Sequence, residues 1–343
     1  MSHRIPRSHR ISRRTWLRGS TLAAAGLAGT ALAGCAAPSD RGIADISVFA
    51  GSLPESTPTG VGVHAMVDHL NASGTGFEAT AFFDTSLGSA SSMINALQEG
   101  TIDVAVSGSS YFSGLVPQIQ AFELPFVFED LEHARRATGP GAARDHLHEL
   151  FEATKIVGLS VWENGMRQLT NNVRAIHEPA DLQGIKIRTL PSPIQQAAWK
   201  AMGGLPQAID ASELYTALQQ GTVQAQENPL AEIEFRKFYE VQNHLSMTSH
   251  VYTPFMMGVS RRTWNRLTQE QRTALEEAAE VGRAAQLDAN DVATEKARTV
   301  LEDNGVAFVD DPDREAFREL GTSVWTQFTD AYGTELLDLV QGM

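Results

Sequence analysis

Short runs of β-branched and aromatic residues alternate along the chain with stretches in which apolar residues recur every three or four positions. The first three such runs predict strands, and a helical pattern lies between each strand and the next, so the fold is predicted to begin with a β-α-β-α-β sequence. The predicted strands are residues 46–49, 77–83, 102–106, 156–162, 167–170, 185–188 and 251–260. The predicted helices are residues 63–70, 93–97, 195–202, 212–219 and 233–239. This alternation predicts an α/β fold in which helices cover both faces of the sheets.

The longest helical pattern begins with a capping box formed by Thr268 and Gln271. A sequence rich in alanine, glutamate and arginine then continues without proline to residue 303, where an Asn-Gly pair is a stop signal. A helix of about 35 residues would be roughly 50 Å long, enough to span two lobes. The alternative is two helices with a break near Gly282 or Asn290.

Charge is distributed unevenly along the 343 residues. The first 34 residues contain six of the 27 lysines and arginines and none of the 41 aspartates and glutamates, so residues 35–343 hold 21 bases against 41 acids, a net charge of −20. With 42% hydrophobic residues overall, the chain can bury a core, and its length predicts two domains or one large α/β unit. The acidity argues against a nucleic-acid partner, because phosphate binding requires a basic face.

The N-terminal segment has the layout of an export signal. Arg13 and Arg14 precede Trp16 and then a small, apolar, uncharged run over residues 20–33. This run is too short for a spanning helix, and the arginine pair resembles a twin-arginine export signal. We expect residues 1–34 to be a signal peptide.

Cys35 is the only cysteine of the chain and follows a Leu-Ala-Gly sequence, which matches a lipoprotein cleavage box. The alternative is a chance cysteine in an alanine-rich leader. We expect Cys35 to take a lipid, residues 35–44 to form a tether, and the protein to be held at a membrane outside the cytoplasm. Because that thiol would be consumed, no disulfide or cysteine nucleophile is expected.

Motifs of common enzymes are absent from the sequence, which has no H-E-x-x-H, no G-x-S-x-G elbow, no P-loop and no G-x-G-x-x-G after a strand. His146 and His148 are two residues apart on a predicted helix and point to different faces, so they indicate a solvated helix face instead of a metal site. Asp310, Asp311 and Asp313 lack the oxygen spacing of a calcium loop and indicate a surface turn. The sequence predicts no catalytic residue, no metal and no cofactor.

Three hydrogen-bond donors stand out in this acidic chain: Arg167 and Arg188, which lie at predicted strand ends, and Asn228, which lies in the sequence Gln-Ala-Gln-Glu-Asn-Pro. A guanidinium offers paired donors that match a carboxylate, and an amide can complete the contact. Taken singly, an arginine is more often part of a surface salt bridge. As a set, the three are candidates for a carboxylate site.

Eight short motifs follow one another in a fixed order over nearly the whole region after residue 45. They are residues 87–88 with 97–103, then 122–128, 164–167 (Asn-Gly-Met-Arg), 182–188, 212–221, 226–229 (Gln-Glu-Asn-Pro), 237–242 and His250. Together they resemble the extracytoplasmic solute-binding subunit of a TRAP transporter (tripartite ATP-independent periplasmic transporter, DctP-type).

The resemblance implies a two-lobed, periplasmic-binding-protein-like fold with a ligand cleft between the lobes and the long helix bracing both. It implies lobe I at residues 45–164 plus about 254–293, and lobe II at residues 165–253 plus about 294–343. The cleft would close over a small organic acid, and TRAP permease membrane subunits would read the closed form. The implied role is solute binding and not catalysis.

The resemblance also implies roles for the three donors. Arg188 corresponds to the arginine that makes the central two-pronged contact with the ligand carboxylate, and Arg167 and Asn228 lie near the same carboxylate. This agrees with physical chemistry, since a buried carboxylate requires fixed donors.

Five further residues are candidates for the surroundings of the ligand. Tyr111, Phe255 and Ala211 are expected near its distal end, where sialic-acid binders of the family have more polar or bulkier groups, so the sequence points away from sialic acid. Trp162 would offer a flat apolar wall, or alternatively belongs to the core. Ser52, at the end of the first strand, is expected to line the cleft.

Two other functions stay open at this level. One is an exported enzyme that acts on a small anionic substrate through residues distant in sequence. The other is a binding subunit of an ABC-type importer or the input module of a sensor.

Overall fold

The computed structural model of the protein describes residues 44–51, 53–84, 86 and 88–342, and the structural statements below refer to these residues. The expected signal peptide and Cys35 lie outside them. Within the described residues, no helix is both long enough and apolar enough to cross a membrane.

The strands of the described chain fall into two sheets. They are β1 (Ala44–Ala50), β2 (Phe77–Phe82), β3 (Val104–Gly108), β4 (Ile156–Trp162), β5 (Gln168–Asn171), β6 (Lys186–Thr189), β7 (Leu205–Ala208), β8 (Ala225–Asn228), β9 (His244–Ser246), β10 (Phe255–Ser260) and β11 (Ala307–Val309). The seven predicted strands are confirmed in position, although β10 begins at Phe255 and not at residue 251. Pro254 precedes it, and a proline has no N–H for the ladder.

The α-helices pack around these sheets. They are α1 (Pro58–Ala72), α2 (Ala90–Glu99), α3 (Leu131–Thr138), α4 (Ala142–Phe151), α5 (Pro193–Ala201), α6 (Leu214–Gln219), α7 (Leu230–Phe235), α8 (Arg261–Trp264), α9 (Gln269–Asp303), α10 (Arg314–Gly321), α11 (Trp325–Tyr332) and α12 (Glu335–Gln341). The prediction of a helix over residues 233–239 is wrong in its bounds, because α7 starts directly after Pro229 and ends before a left-handed Lys237.

The first sheet has the order β2-β1-β3-β10-β4. β1 pairs in parallel with β2 and β3, whereas β10 runs antiparallel to both β3 and β4. Both faces of β3 are buried, as expected of a central strand that helices cover on each side.

The second sheet has the order β11-β9-β5-β8-β6-β7. β5 pairs antiparallel with β8 and β9, and β6 pairs in parallel with β7 and β8. The chain passes from the first sheet to the second between β4 and β5, returns between β9 and β10, and crosses to the second sheet again along α9, which leads to β11. These passages place the ends of several strands from both sheets close together.

Helix α9 is continuous over 35 residues, so the alternative of two shorter helices is wrong. Its capping box is formed as predicted: the Thr268 hydroxyl accepts from the Gln271 N–H at 3.2 Å, and the Gln271 side chain accepts from the Thr268 N–H at 3.0 Å. The N-terminal half buries Leu275 in the core beside the first sheet. The C-terminal half buries Leu301 in a cluster beside the second sheet. The helix therefore spans both lobes.

Helices α1 and α9 cross in close contact at a pair of glycines. A Cβ added to Gly282 would lie 2.7 Å from the carbonyl oxygen of Gly62 and 2.8 Å from the ring of Trp162. A Cβ added to Gly62 would lie 2.7 Å from the same ring. Trp162 is thus enclosed where the two helices meet the end of β4.

Candidate ligand-binding site

A cavity lies between the two sheets. Residues from the first sheet and its connections line one side, and residues from the second sheet line the other. The first group includes Gly51, Ser107, Gly108, Tyr111 and Phe255, and the second includes Arg167, Arg188, Ala211, Asn228, Glu232 and Arg236. Asn164, on the passage from β4 to β5, lies at the boundary. The cavity is therefore built by both lobes.

Arg188 projects from β6 and is 1% exposed. Its Nε donates to the carbonyl oxygen of Ile209 at 2.8 Å, but its Nη2 is buried with no hydrogen-bond partner in the described structure. Burial is the main cause that lowers the pKa of Arg188, although Tyr111 and Glu227 act in the opposite direction. A buried cation without a full set of partners is costly. An anion that enters the cavity would recover that cost.

Arg167 is equally buried, but a carboxylate lies against it. Its Nε and Nη2 donate to the two carboxylate oxygens of Glu227 at 2.5 and 3.0 Å, and Nη2 also donates to Asn228 Oδ1 at 2.7 Å. Burial acts to lower the pKa of Arg167, but Glu227 outweighs it and the net direction is upward. Burial acts to raise the pKa of Glu227, whereas Arg167 and His250 lower it to about 2. The charge of Arg167 is therefore compensated within the protein.

The turn before β5 depends on a glycine. Gly165 has a φ of +115°, which side chains other than hydrogen rarely adopt, and a Cβ there would lie 3.3 Å from Pro229. The turn places Asn164 and Arg167 at the same cavity. The Oδ1 of Asn164 is buried and has no hydrogen-bond partner in the described structure, so it is an acceptor available to a ligand.

Tyr111 and Ala211 join the two sides of the cavity. The N–H of Ala211 donates to the Tyr111 hydroxyl at 3.2 Å. Burial raises the pKa of Tyr111, although Arg188 opposes this. The phenol is therefore protonated at neutral pH and still has its own proton to donate.

The structure brings six of the eight predicted site residues to this cavity: Arg188, Arg167, Asn228, Tyr111, Phe255 and Ala211. Trp162 is not among the lining residues. It is fully buried at the crossing of α1 and α9, which corrects its reading as a wall and favours the core role. Ser52 lies outside the described residues, although its neighbour Gly51 lines the cavity.

Sequence reasoning missed three lining residues with strong chemistry: Asn164, Glu232 and Arg236. Glu232 lies on α7, and its Oε2 accepts from the Nε of Arg236 at 3.2 Å. The spacing of four residues is a signal for a helical ion pair. Only the packing of α7 shows that this pair faces the cavity and not solvent.

The remaining polar clusters do not form a metal site. Among the described residues, no group of three or more His, Cys, Asp and Glu side chains could hold an ion. His148 packs beside Gly158 of β4, and burial, with a smaller contribution from Arg144, lowers its pKa to about 4. The expectation of a solvated helix face is therefore wrong at His148.

Two sheets, one helix across both and a buried cavity with an uncompensated guanidinium define a two-lobed solute-binding protein. The chain belongs to the family of bacterial extracellular solute-binding proteins, family 7, whose family model matches residues 49–331. The resemblance found in the sequence and the predicted two-lobed α/β fold are thus confirmed.

Relatives and solved structures agree with this assignment. The 2,3-diketo-L-gulonate-binding periplasmic protein of Escherichia coli is 36% identical over 264 residues, which are 76% of this chain and 80% of that protein. The C4-dicarboxylate-binding periplasmic protein DctP of Rhodobacter capsulatus is 32% identical over 256 residues, 72% of this chain and 75% of that protein. A TRAP periplasmic solute-binding protein from Polaromonas, bound to D-erythronate, superposes with a TM-score of 0.83 at 31% identity and covers 87% of this chain and 98% of that one.

Proposed function

We propose that the protein captures a small organic acid by its carboxylate in the interlobe cavity and delivers it to the membrane permease subunits of a TRAP transporter. The observation that carries the proposal is Arg188, whose buried Nη2 has no partner in the described structure although it lines a cavity. A carboxylate supplies the missing acceptor and the missing negative charge. Relatives named for binding organic acids support the same ligand class.

In this proposal the two predicted arginines have different roles. Arg188 makes the charged, two-pronged contact. Arg167 is oriented by Glu227 and Asn228 and contributes a hydrogen bond without a net charge. Tyr111 and Ala211 already join the two sides, so the described conformation corresponds to a closed state that a ligand would favour over an open one.

The proposed lobe boundaries lie where the chain passes between the sheets: between β4 and β5, between β9 and β10, and along α9 between β10 and β11. We propose that residues 45–164 with about 254–293 form lobe I and that residues 165–253 with about 294–343 form lobe II. The support is that β1–β4 and β10 share one sheet, whereas β5–β9 and β11 share the other.

We also propose that residues 1–34 direct export and that Cys35 carries a lipid that holds the protein at a membrane outside the cytoplasm. The support is the sequence of that segment alone. The mass of the N-terminal peptide from the membrane fraction tests this, and an unmodified Cys35 would contradict it.

The central test is titration calorimetry of wild type and Arg188→Ala with a panel of organic acids. We expect the variant to lose about 2–5 kcal/mol of binding free energy, because the ligand carboxylate would lack its charged partner in a desolvated site. Arg188→Lys keeps the charge but loses the fork and should recover only part. Arg298→Ala, which removes an exposed arginine paired with Asp310, is the control and should bind as wild type.

Two outcomes would contradict the proposal. Equal binding by Arg188→Ala would show that the acid binds elsewhere. Chemical conversion of the acid during incubation, seen by mass spectrometry, would favour the exported enzyme instead.

A further inference from the structure

The net charge of the side chains that line the cavity is +1 once their ion pairs are taken into account. Among the described residues, the charged side chains of the wall are Arg167, Arg188, Arg236 and Glu232. Arg167 is neutralised by Glu227 behind it, and Arg236 contacts Glu232. One uncompensated guanidinium, Arg188, therefore remains. A ligand with one negative charge balances the wall, whereas a ligand with two overcharges it.

The wall also contains acceptors that a carboxylate cannot use. The Oδ1 of Asn164 is buried without a hydrogen-bond partner in the described structure. Glu232 is 9% exposed and presents a carboxylate to the same cavity. Asn164 Oδ1 therefore requires a donor from the ligand, and Glu232, which already accepts from Arg236, can accept further hydrogen bonds. Hydroxyl groups meet this requirement without adding charge.

Resting on the proposed function, we infer that the cavity selects hydroxylated monocarboxylates over dicarboxylates and that Glu232 imposes this selection. The ligand carboxylate meets Arg188, and ligand hydroxyls donate to Glu232 and Asn164. The class is that of aldonic and related sugar acids.

A second carboxylate would be disfavoured by charge. It would give the wall and the ligand together a net negative charge, because Glu232 already balances Arg236, and an unbalanced charge in a desolvated site is costly. An amino acid would satisfy the acceptors, but its net charge of zero would leave the positive charge of the wall unbalanced.

Two pairs of acids that differ in one terminal group test the inference. Erythronate and meso-tartrate share four carbons and their stereochemistry, and gluconate and glucarate share six; within each pair a CH₂OH is replaced by a carboxylate. We expect at least one of the two monocarboxylates to bind to wild type, and its dicarboxylate partner to bind at least tenfold more weakly, which is about 1.4 kcal/mol. 4-Aminobutanoate should bind more weakly than that monocarboxylate.

Glu232→Gln links the selection to the residue. The variant keeps the size of the side chain and removes its charge, so we expect the ratio of monocarboxylate to dicarboxylate affinity to fall at least threefold. Glu234→Gln is the matched control, because Glu234 lies on the same helix α7 but does not line the cavity. It should leave the ratio unchanged.

The failures of the two proposals can be told apart. The selection would be overturned, and carboxylate capture left intact, if a dicarboxylate bound as tightly as its monocarboxylate partner, if the affinity ratio were unchanged in Glu232→Gln, or if 4-aminobutanoate bound more tightly than the monocarboxylate. The same holds if none of these acids binds while another acid binds and depends on Arg188. Binding that does not depend on Arg188 would overturn the capture site itself.

Discussion

Two equally buried arginines differ in their hydrogen-bond partners and counter-ions. Arg167 and Arg188 are each 1% exposed, and both line the cavity. Arg167 is held by the carboxylate of Glu227, whereas Arg188 is held by a single backbone carbonyl through Nε. The first is a fixed part of the wall, and the second is a cation without a counter-ion. Only the second creates a requirement for an anion.

This difference predicts the effect of Glu227→Gln. The substitution leaves Arg167 buried without its counter-ion, and we expect a loss of about 3–5 kcal/mol in the free energy of unfolding at pH 7. Urea unfolding measures it. Glu315→Gln, which removes an exposed partner of Arg318, is the control and should change stability by no more than about 1 kcal/mol.

The pH dependence gives a second readout of the same substitution. The pKa of Glu227 is about 2 when folded and near its ordinary 4.5 when unfolded. Its contribution is thus complete above pH 4.5 and is lost as the pH falls through 2. The wild type should lose this increment of stability in acid and Glu227→Gln should not. An equal acid sensitivity of both proteins would contradict the assignment.

At the scale of elements, β8 shows how a functional strand differs from a core strand. Its sequence, Ala-Gln-Glu-Asn, has no β-branched or aromatic residue, yet all four residues are buried. Gln226 donates to Thr170 of β5, and Glu227 and Asn228 both accept from Arg167, which precedes β5. Polar pairing across strands replaces hydrophobic packing, and sequence patterns do not detect that.

The crossing of α1 and α9 leads to a prediction at this scale. Gly282→Ala places a methyl group against the backbone oxygen of Gly62 and the ring of Trp162, at 2.7 and 2.8 Å. Overpacking costs about 1–3 kcal/mol, which outweighs the gain of about 0.5–1 kcal/mol from replacing a helical glycine. We expect a lower melting temperature. Val292→Ala, at a 68% exposed position of the same helix, should stay within about 0.5 kcal/mol of wild type.

At the scale of the whole molecule, the net charge and the site have opposite signs. Residues 35–343 carry −20, while the cavity wall retains one positive charge. The field of the surface extends about 30 Å at 0.01 M salt and about 8 Å at 0.15 M. The molecule as a whole therefore repels the anions that the cavity is proposed to bind.

This opposition predicts that salt accelerates association. Stopped-flow measurement with a monoanionic ligand should show an association rate constant that rises between 0.01 and about 0.15 M salt, because repulsion is screened. The dissociation rate constant should change little, since the contacts in the cavity are desolvated. An association rate constant that falls with salt would mean that the cavity, and not the acidic surface, governs the approach.

The sequence by itself determined much of this protein. Periodicity placed the first strands and the long helix from its capping box to its end, because these features depend on local contacts within a few residues. Ordered motifs identified the family and predicted a shared site for Arg167, Arg188 and Asn228, which line one cavity. The sequence left Trp162 open between that site and the core, and it gave no sign that Glu232 lines the cavity.

The tertiary structure decided what each of these residues does. Glu227 and Arg167 are 60 residues apart and meet only because β5 and β8 pair. Trp162 lies in the core because Gly62 and Gly282, 220 residues apart, bring two helices together around it. Whether a buried charge is compensated depends on such distant partners, and local sequence contains no record of them. For that reason the balance of one positive charge in the cavity, and with it the inferred choice of ligand, could be read only from the folded chain.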